Sequence, residues 1–236
     1  MAIKVYNTMG GEKEIFRPLH DKNVKIFVCG PTVQDYAHIG HAKTYVQFDV
    51  VVKYLRYRKY NVFYLQNVTD IDDKIINRAK ELKKLPYELA NEYEKSFYED
   101  MKALKVDSVN KYARATDHIN EIVSQVLRLI KLGYAYKIKD GYYFDLSKFP
   151  SYGKLSGRTT LEAEDSVSRI DESINKKNKG DFCLLKFSKE GETYWAVETE
   201  IEVSDGEYDK IVKNAIKDND EEFLKLNKID KTKWKV

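Results

Sequence analysis

The chain has 236 residues, enough for one large domain or two small ones. Its 42% apolar and 33% charged content suits a globular protein, and its net charge of +3 permits contact with nucleic acid without arguing for it. No apolar run is long enough for a membrane span, and two cysteines, Cys29 and Cys183, rule out a disulfide framework. The opening MAIKVYNTMGGEKEIF lacks the apolar core of a signal peptide, so a cytoplasmic location is expected.

In chain order, VKIFVCG (24–30) is a β-branched run ending at Gly-Pro and reads as a buried strand followed by a loop. A helix is expected from about Ala42 to Arg58, with Tyr45, Phe48, Val52 and Leu55 on one face. NVFYLQN (61–67) reads as a second buried strand, which completes a parallel βαβ unit. Helices follow over Asp72 to Lys83, from Pro86 with Ala90, Tyr93, Phe97, Met101 and Leu104 facing in, and over Thr116 to Leu132 with Gly133 as its cap. Asp140-Gly141 between aromatic arms predicts a hairpin over 134–146. A polar connection spans 147–180, and DFCLLKF and TYWAVETEIEV read as strands. The tail, 205–236, carries eight acidic residues and eight lysines and fits one solvated helix.

The stretch VCGPTVQDYAHIGH (28–41) carries the chemistry. It lies at the carboxyl end of the first strand, where open α/β sheets bind ligands. His38 and His41 are three apart and share a face where the loop enters a helix, a place with unpaired N–H groups and a positive dipole end. Two imidazoles there can donate to a phosphate and steady charge on leaving pyrophosphate. Gly40 allows close approach of a nucleotide, and Pro31 fixes the loop's exit after Gly30. The plainer alternative is a pair of surface histidines near a helix cap. Cys29 reads either as a small hydrophobe or as a zinc ligand. Thr69, in TDIDDK (69–74), either caps the next helix or lines a pocket at the sheet edge.

FVCGPTVQDYAHIGHAKTYVQFDVVVKYL followed by NVTDIDDKIINRA resembles the cysteinyl-tRNA synthetases, a class I aminoacyl-tRNA synthetase family. YARATDHINEIV, GYAY, YGKLSGR and GDFCLLKFSKEGETYW extend the likeness, which covers roughly residues 1–195. It implies an α/β fold with a Rossmann-like parallel sheet, the first half of a class I nucleotide-binding fold, carrying a helical insertion. It also implies ATP-dependent activation of cysteine, transfer to tRNA(Cys), and a place in protein biosynthesis. His38, Gly40 and His41 would be the HIGH signature, with His38 and His41 catalytic. ATP would lie against Gly30, Pro31, Thr32, His38, Gly40 and His41, together with magnesium. Cys29 and Thr69 would face the amino acid, and Cys29 would be the first of four zinc ligands. Zinc prefers sulfur, so such a site would reject serine.

The sequence departs from that pattern after Trp195, where no WHIECS-like segment, later His and Glu ligands or KMSKS loop is found. Cys183 stands where the family has an ordinary strand residue, and Lys186 and Lys189 in KFSKE are read as surface lysines. The expected organisation is a synthetase-like domain over 1–203, made of a βαβ unit (22–84), a helical and hairpin insertion (85–180) and returning strands (181–203), then a charged tail (204–236). A separate chain supplying the missing half is an expected partner. Two other functions are weighed: a non-catalytic relative that binds nucleotide, tRNA or protein, and a ligase joining cysteine to a small amine, as in mycothiol synthesis.

Overall fold

The structure, a computed structural model, describes residues 2–157, 175–189, 192, 194 and 195. The chain divides into two compact units, one built on Glu14–Ile119 with the first five residues, the other on the residues from Asn120 onward with Tyr6–Lys13. β1 (Lys4–Asn7) and β2 (Glu12–Ile15) form a small two-stranded sheet.

The first unit is an α/β layer. β3 (Asn23–Val28) pairs in parallel with β4 (Asn61–Val68), and α1 (Ile39–Tyr57) connects them. β4 pairs in parallel with a third strand, β5 (Lys111–Arg114), giving the order β3-β4-β5. β5 is a strand that the sequence reading did not anticipate. α2 (Asp73–Leu82) and α3 (Pro86–Ala103) lie between β4 and β5 in the chain. One apolar cluster joins Val24, Val28, Val62 and Tyr64 of the sheet to Tyr45, Val52 and Leu55 of α1 and to Phe97 and Met101 of α3. A second gathers Val33, Val68, Ile75, Ala79, Leu89, Ala90 and Tyr93 around α2 and α3.

Three sequence expectations change. β3 and β4 are not buried on both faces: burial alternates along them, and Phe27 and Phe63 remain 59% and 45% exposed. Their side chains point to the face opposite the one that the two clusters cover. Phe48 of α1 is also exposed, and the neighbouring Asp49 is buried in its place. The carboxylate of Asp49 accepts the N–H groups of Asp107 and Ser108 at 3.0 and 2.9 Å and pairs with Lys53 at 2.7 Å, which pins the approach to β5. Leu104, expected to face in, caps α3 from outside the helix and is exposed.

The second unit holds α4 (Ile119–Lys131, beginning one residue before it) and an antiparallel sheet of β6 (Ala135–Ile138), β7 (Gly141–Phe144) and β8 (Phe182–Lys186). Gly133 follows α4 at φ +76°, the left-handed position expected of its cap. Cys183 is a strand residue of β8, and Lys186 and Lys189 are exposed, as read. Asp181 is fully buried and accepts from the Leu146 N–H at 2.9 Å and from the Tyr136 hydroxyl at 2.5 Å. The expected tail helix, most of the TYWAVETEIEV strand and much of the 147–180 connection lie outside the described residues. Tyr194 and Trp195, from that expected strand, are in no strand.

Burial alone would raise the Asp49 carboxyl, but the hydrogen bonds from Lys53 and Ser108 together hold it below its ordinary value of 3.8. A depressed folded value means stability that is present above about pH 4 and is lost as the pH falls further. Asp49→Asn should cost about 2 kcal/mol at pH 7. Urea unfolding at pH 7 and pH 3 should show a smaller acid-induced loss in the variant than in the wild type.

Candidate active site

The site begins where β3 ends. The Gly30 N–H donates to Oδ1 of Asn67 at 2.8 Å. The Thr69 N–H then donates to the Pro31 carbonyl at 2.9 Å, and the Val33 N–H donates to the Thr69 carbonyl at 3.1 Å. Thr32 and Thr69 form a single parallel bridge beyond the strands. Glycine is required at position 30, because a Cβ there would stand 1.6 Å from the Asn67 carbonyl oxygen. Pro31 and Val33 are buried, and Tyr36 packs edge-on against Tyr93 at 4.9 Å. The loop is therefore seated on the sheet end and on α3 before it reaches the histidines.

His38 is the N-cap of α1. Its Nδ1 accepts from the Gly40 N–H at 3.0 Å, and Nδ1 of His41 accepts from the His38 N–H at 3.3 Å. A backbone N–H can only donate, so both Nδ1 atoms are unprotonated and a neutral ring carries its proton on Nε2. The two rings stack at 4.0 Å between centroids, and His41 continues the stack onto Tyr45 at 6.2 Å. The helix start is thus satisfied in part by its own imidazoles. Gly40 makes room for one of them: a Cβ would lie 2.8 Å from Cε1 of His38. Burial lowers the pKa of His41 below 6.5, and the neighbouring His38 adds to the fall.

Tyr45 links this corner to Cys29. Its hydroxyl lies 3.5 Å from the Cys29 carbonyl oxygen. Burial pushes that hydroxyl up to about 12, against the pull of the Gln66 amide and with Cys29 adding to the rise. Gln66 is fully buried and reaches toward Tyr45 without a well-shaped hydrogen bond. The Cys29 thiol is exposed at the rim, so its reading as a buried hydrophobe does not hold. Thr69 does not cap α2. Asp72 does, accepting the Lys74 N–H at 2.8 Å, because the Thr69 backbone is committed to Pro31 and Val33.

Cys29, Gly30, Pro31, Thr32, His38, Gly40, His41 and Thr69 all belong to the first unit, at the carboxyl ends of β3 and β4 and the start of α1. Sequence reasoning missed Tyr45 and Asn67. The first was read as core and the second as a strand residue, and the only available signal was a polar amide at a strand's carboxyl end. Behind Thr69, buried Asp70 pairs with Arg114 at 3.1 Å, and Arg114 also pairs with Glu94 at 3.2 Å, which fastens β5 to the same rim. A depression of about 360 Å³ along α3, lined by Asn91, Glu94, Lys95, Tyr98, Glu99 and Lys102, touches none of the candidate residues. Its walls are mostly exposed residues of one helix, and the rim holds the convergent donors, so the rim is the better candidate.

The model of the tRNA synthetases class I (C) catalytic domain matches residues 15–199. The chain belongs to this class I synthetase family. It is 51% identical to the cysteine–tRNA ligase of Thermoplasma acidophilum over 193 residues, which are 82% of this chain and 42% of that protein. Its identity to the cysteine–tRNA ligase of Thermoplasma volcanium is 53%, over 81% of this chain and 42% of the relative. For Pyrococcus furiosus the figure is 50%, over 82% and 40%. This synthetase chain therefore spans about two fifths of the length of the curated relatives that it matches. A solved Mycobacterium tuberculosis methionyl-tRNA synthetase in complex with methionyl-adenylate aligns with 53% of this chain and 24% of its own, at 22% identity and a TM-score of 0.44.

Among the described residues, no group of three or more His, Cys, Asp or Glu side chains is arranged to hold a metal. A closed zinc site needs about four ligands, so the described residues around Cys29 do not fit one. No helix among the described residues is long and apolar enough to cross a membrane.

Imidazole NMR at pH 7 should find the Nε2–H tautomer at both His38 and His41. His41 should titrate below 6.5. Because its folded value is depressed, its contribution to stability is present above that pH and is lost as the pH falls through the folded value.

Proposed function

We propose that this synthetase chain binds magnesium-ATP at the His38–His41 corner and cysteine at the Cys29–Thr69 rim, and works within the cysteine–tRNA ligase activity. In that reaction a carboxylate oxygen of cysteine attacks the α-phosphorus of ATP. The bond from that phosphorus to the bridging oxygen breaks, pyrophosphate leaves with the electron pair, and a hydroxyl of tRNA(Cys) then takes the aminoacyl group as its bond to the phosphate oxygen breaks and AMP leaves. The observation that carries this reading is the pair of stacked imidazoles whose Nδ1 atoms are held by backbone N–H groups. Each ring then has only Nε2–H left to offer a phosphate, and the backbone has already chosen the tautomer. Such donors cost no reorganisation as negative charge moves onto pyrophosphate. Gly30, Pro31 and Thr32 would supply the loop surface beside the nucleotide, and Gly40 the room for the first imidazole.

The expected partner chain has support of its own. β3 is an edge strand of its sheet, and Phe27 and Phe63 lie on its uncovered face among the described residues. Parallel sheets are ordinarily covered on both faces. The relatives, moreover, extend well beyond the matched segment. These features favour a domain completed by further residues, which would also supply the remaining ligands and the lysine loop.

By calorimetry the purified chain should bind ATP, and His38→Asn and His41→Ala should each weaken binding about tenfold. Asparagine can still cap the helix through Oδ1, so the first variant spares the cap and replaces the outward Nε2–H with the N–H of a shorter side chain. Unchanged ATP affinity in both variants would remove the histidines from the site. Cysteine-dependent ATP–pyrophosphate exchange should be absent or feeble with the chain alone. It should appear when the portion of a relative beyond the match is added as a separate polypeptide.

A further inference from the structure

A side chain outside the expected motif joins the two halves of the amino-acid rim. The Asn67 amide accepts the Gly30 N–H at 2.8 Å through Oδ1 and donates to the Thr69 hydroxyl oxygen at 3.3 Å through Nδ2. Its orientation is set by chemistry. A backbone N–H can meet only the carbonyl end of the amide, so the NH₂ end must face Thr69. One consequence concerns Cys29: the peptide unit just after it is tied by a side chain of the neighbouring strand. The other concerns Thr69. Its oxygen already accepts a hydrogen bond, so its own proton is turned away from Asn67 and is free to be donated. Gly30 reinforces the register, because its missing Cβ lets the Asn67 carbonyl close in on the loop from the same strand end.

We infer that Asn67 is a positioning residue, which holds Cys29 and the Thr69 hydroxyl at a set spacing for the amino-acid end of an aminoacyl-adenylate. It does not serve the ATP end, where the donors come from His38 and His41. This inference rests on the function proposed above.

Two variants separate its two bonds. Asp at position 67 retains an acceptor for Gly30 but cannot donate to Thr69, and Ala loses both contacts. The probes are ATP and a non-hydrolysable cysteinyl-adenylate analogue, measured by calorimetry. Deuterium exchange at the Gly30 amide reports the loop without any ligand. Asn67→Asp and Asn67→Ala should each weaken the analogue about tenfold or more while ATP affinity stays within about twofold. Gly30 exchange should speed up in Asn67→Ala and stay slow in Asn67→Asp. Analogue affinity unchanged in both variants would overturn the inference and leave the proposed function standing. So would equal loss of ATP and analogue, which marks Asn67 as a prop for the whole fold, or Gly30 exchange that ignores Asn67→Ala. A wild-type chain that binds neither ligand would defeat the proposed function and this inference with it.

Discussion

Where the chain leaves β3, Gly30 passes so close to β4 that a Cβ would meet the Asn67 carbonyl oxygen at 1.6 Å. That approach lets Pro31, Thr32 and Val33 run beside Thr69 and exchange two backbone hydrogen bonds with it. Val33 is thereby driven into the cluster around α2 and α3, and Tyr36 reaches Tyr93. The loop arrives at α1 from a fixed direction, with His38 in the cap position. A wider spacing at Gly30 would break this sequence at its first step, and each later contact would lose its anchor.

The corner at α1 shows one set of atoms meeting two demands. The first turn of a helix has N–H groups without intrahelical partners. Here imidazole nitrogens satisfy two N–H groups at the helix start, and the same bonds settle which nitrogen keeps the proton. An aspartate cap would satisfy the backbone equally well and offer no donor to an anion. Burial keeps His41 neutral to lower pH, so its Nδ1 goes on accepting the His38 N–H across the physiological range.

Much of the first unit was legible from residue patterns. The strand ending at Gly-Pro, the strand over 61–68 and the helix between them follow from apolar runs bounded by turn residues, although that helix starts at Ile39, three residues before the expected Ala42. The hairpin at Asp140-Gly141 follows from turn chemistry. β5 was not legible, because Lys111–Arg114 is a four-residue edge strand with two charged ends and no fully buried side chain. Nor was the exchange of Phe48 for Asp49 in the interior. Helical spacing counts apolar positions, and it cannot register that a carboxylate will find two backbone N–H groups more than fifty residues away and a lysine one turn along its own helix.

By itself the sequence determined the order of strands and helices, the loop between them, and the residue types able to meet a phosphate or a thiol. These are local properties: turn residues, apolar periodicity and a histidine spacing of three. Only the tertiary structure decided that the thiol stays exposed, that Thr69 braces the loop and does not cap a helix, and that Asn67 and Tyr45 join the two ends of the site. Those outcomes depend on which side chains of α1 and β4 meet the backbone at the end of β3, over separations of 16 and 37 residues in the chain. Hydrogen-bond partners at that distance are chosen by the fold, and the local pattern carries no trace of them.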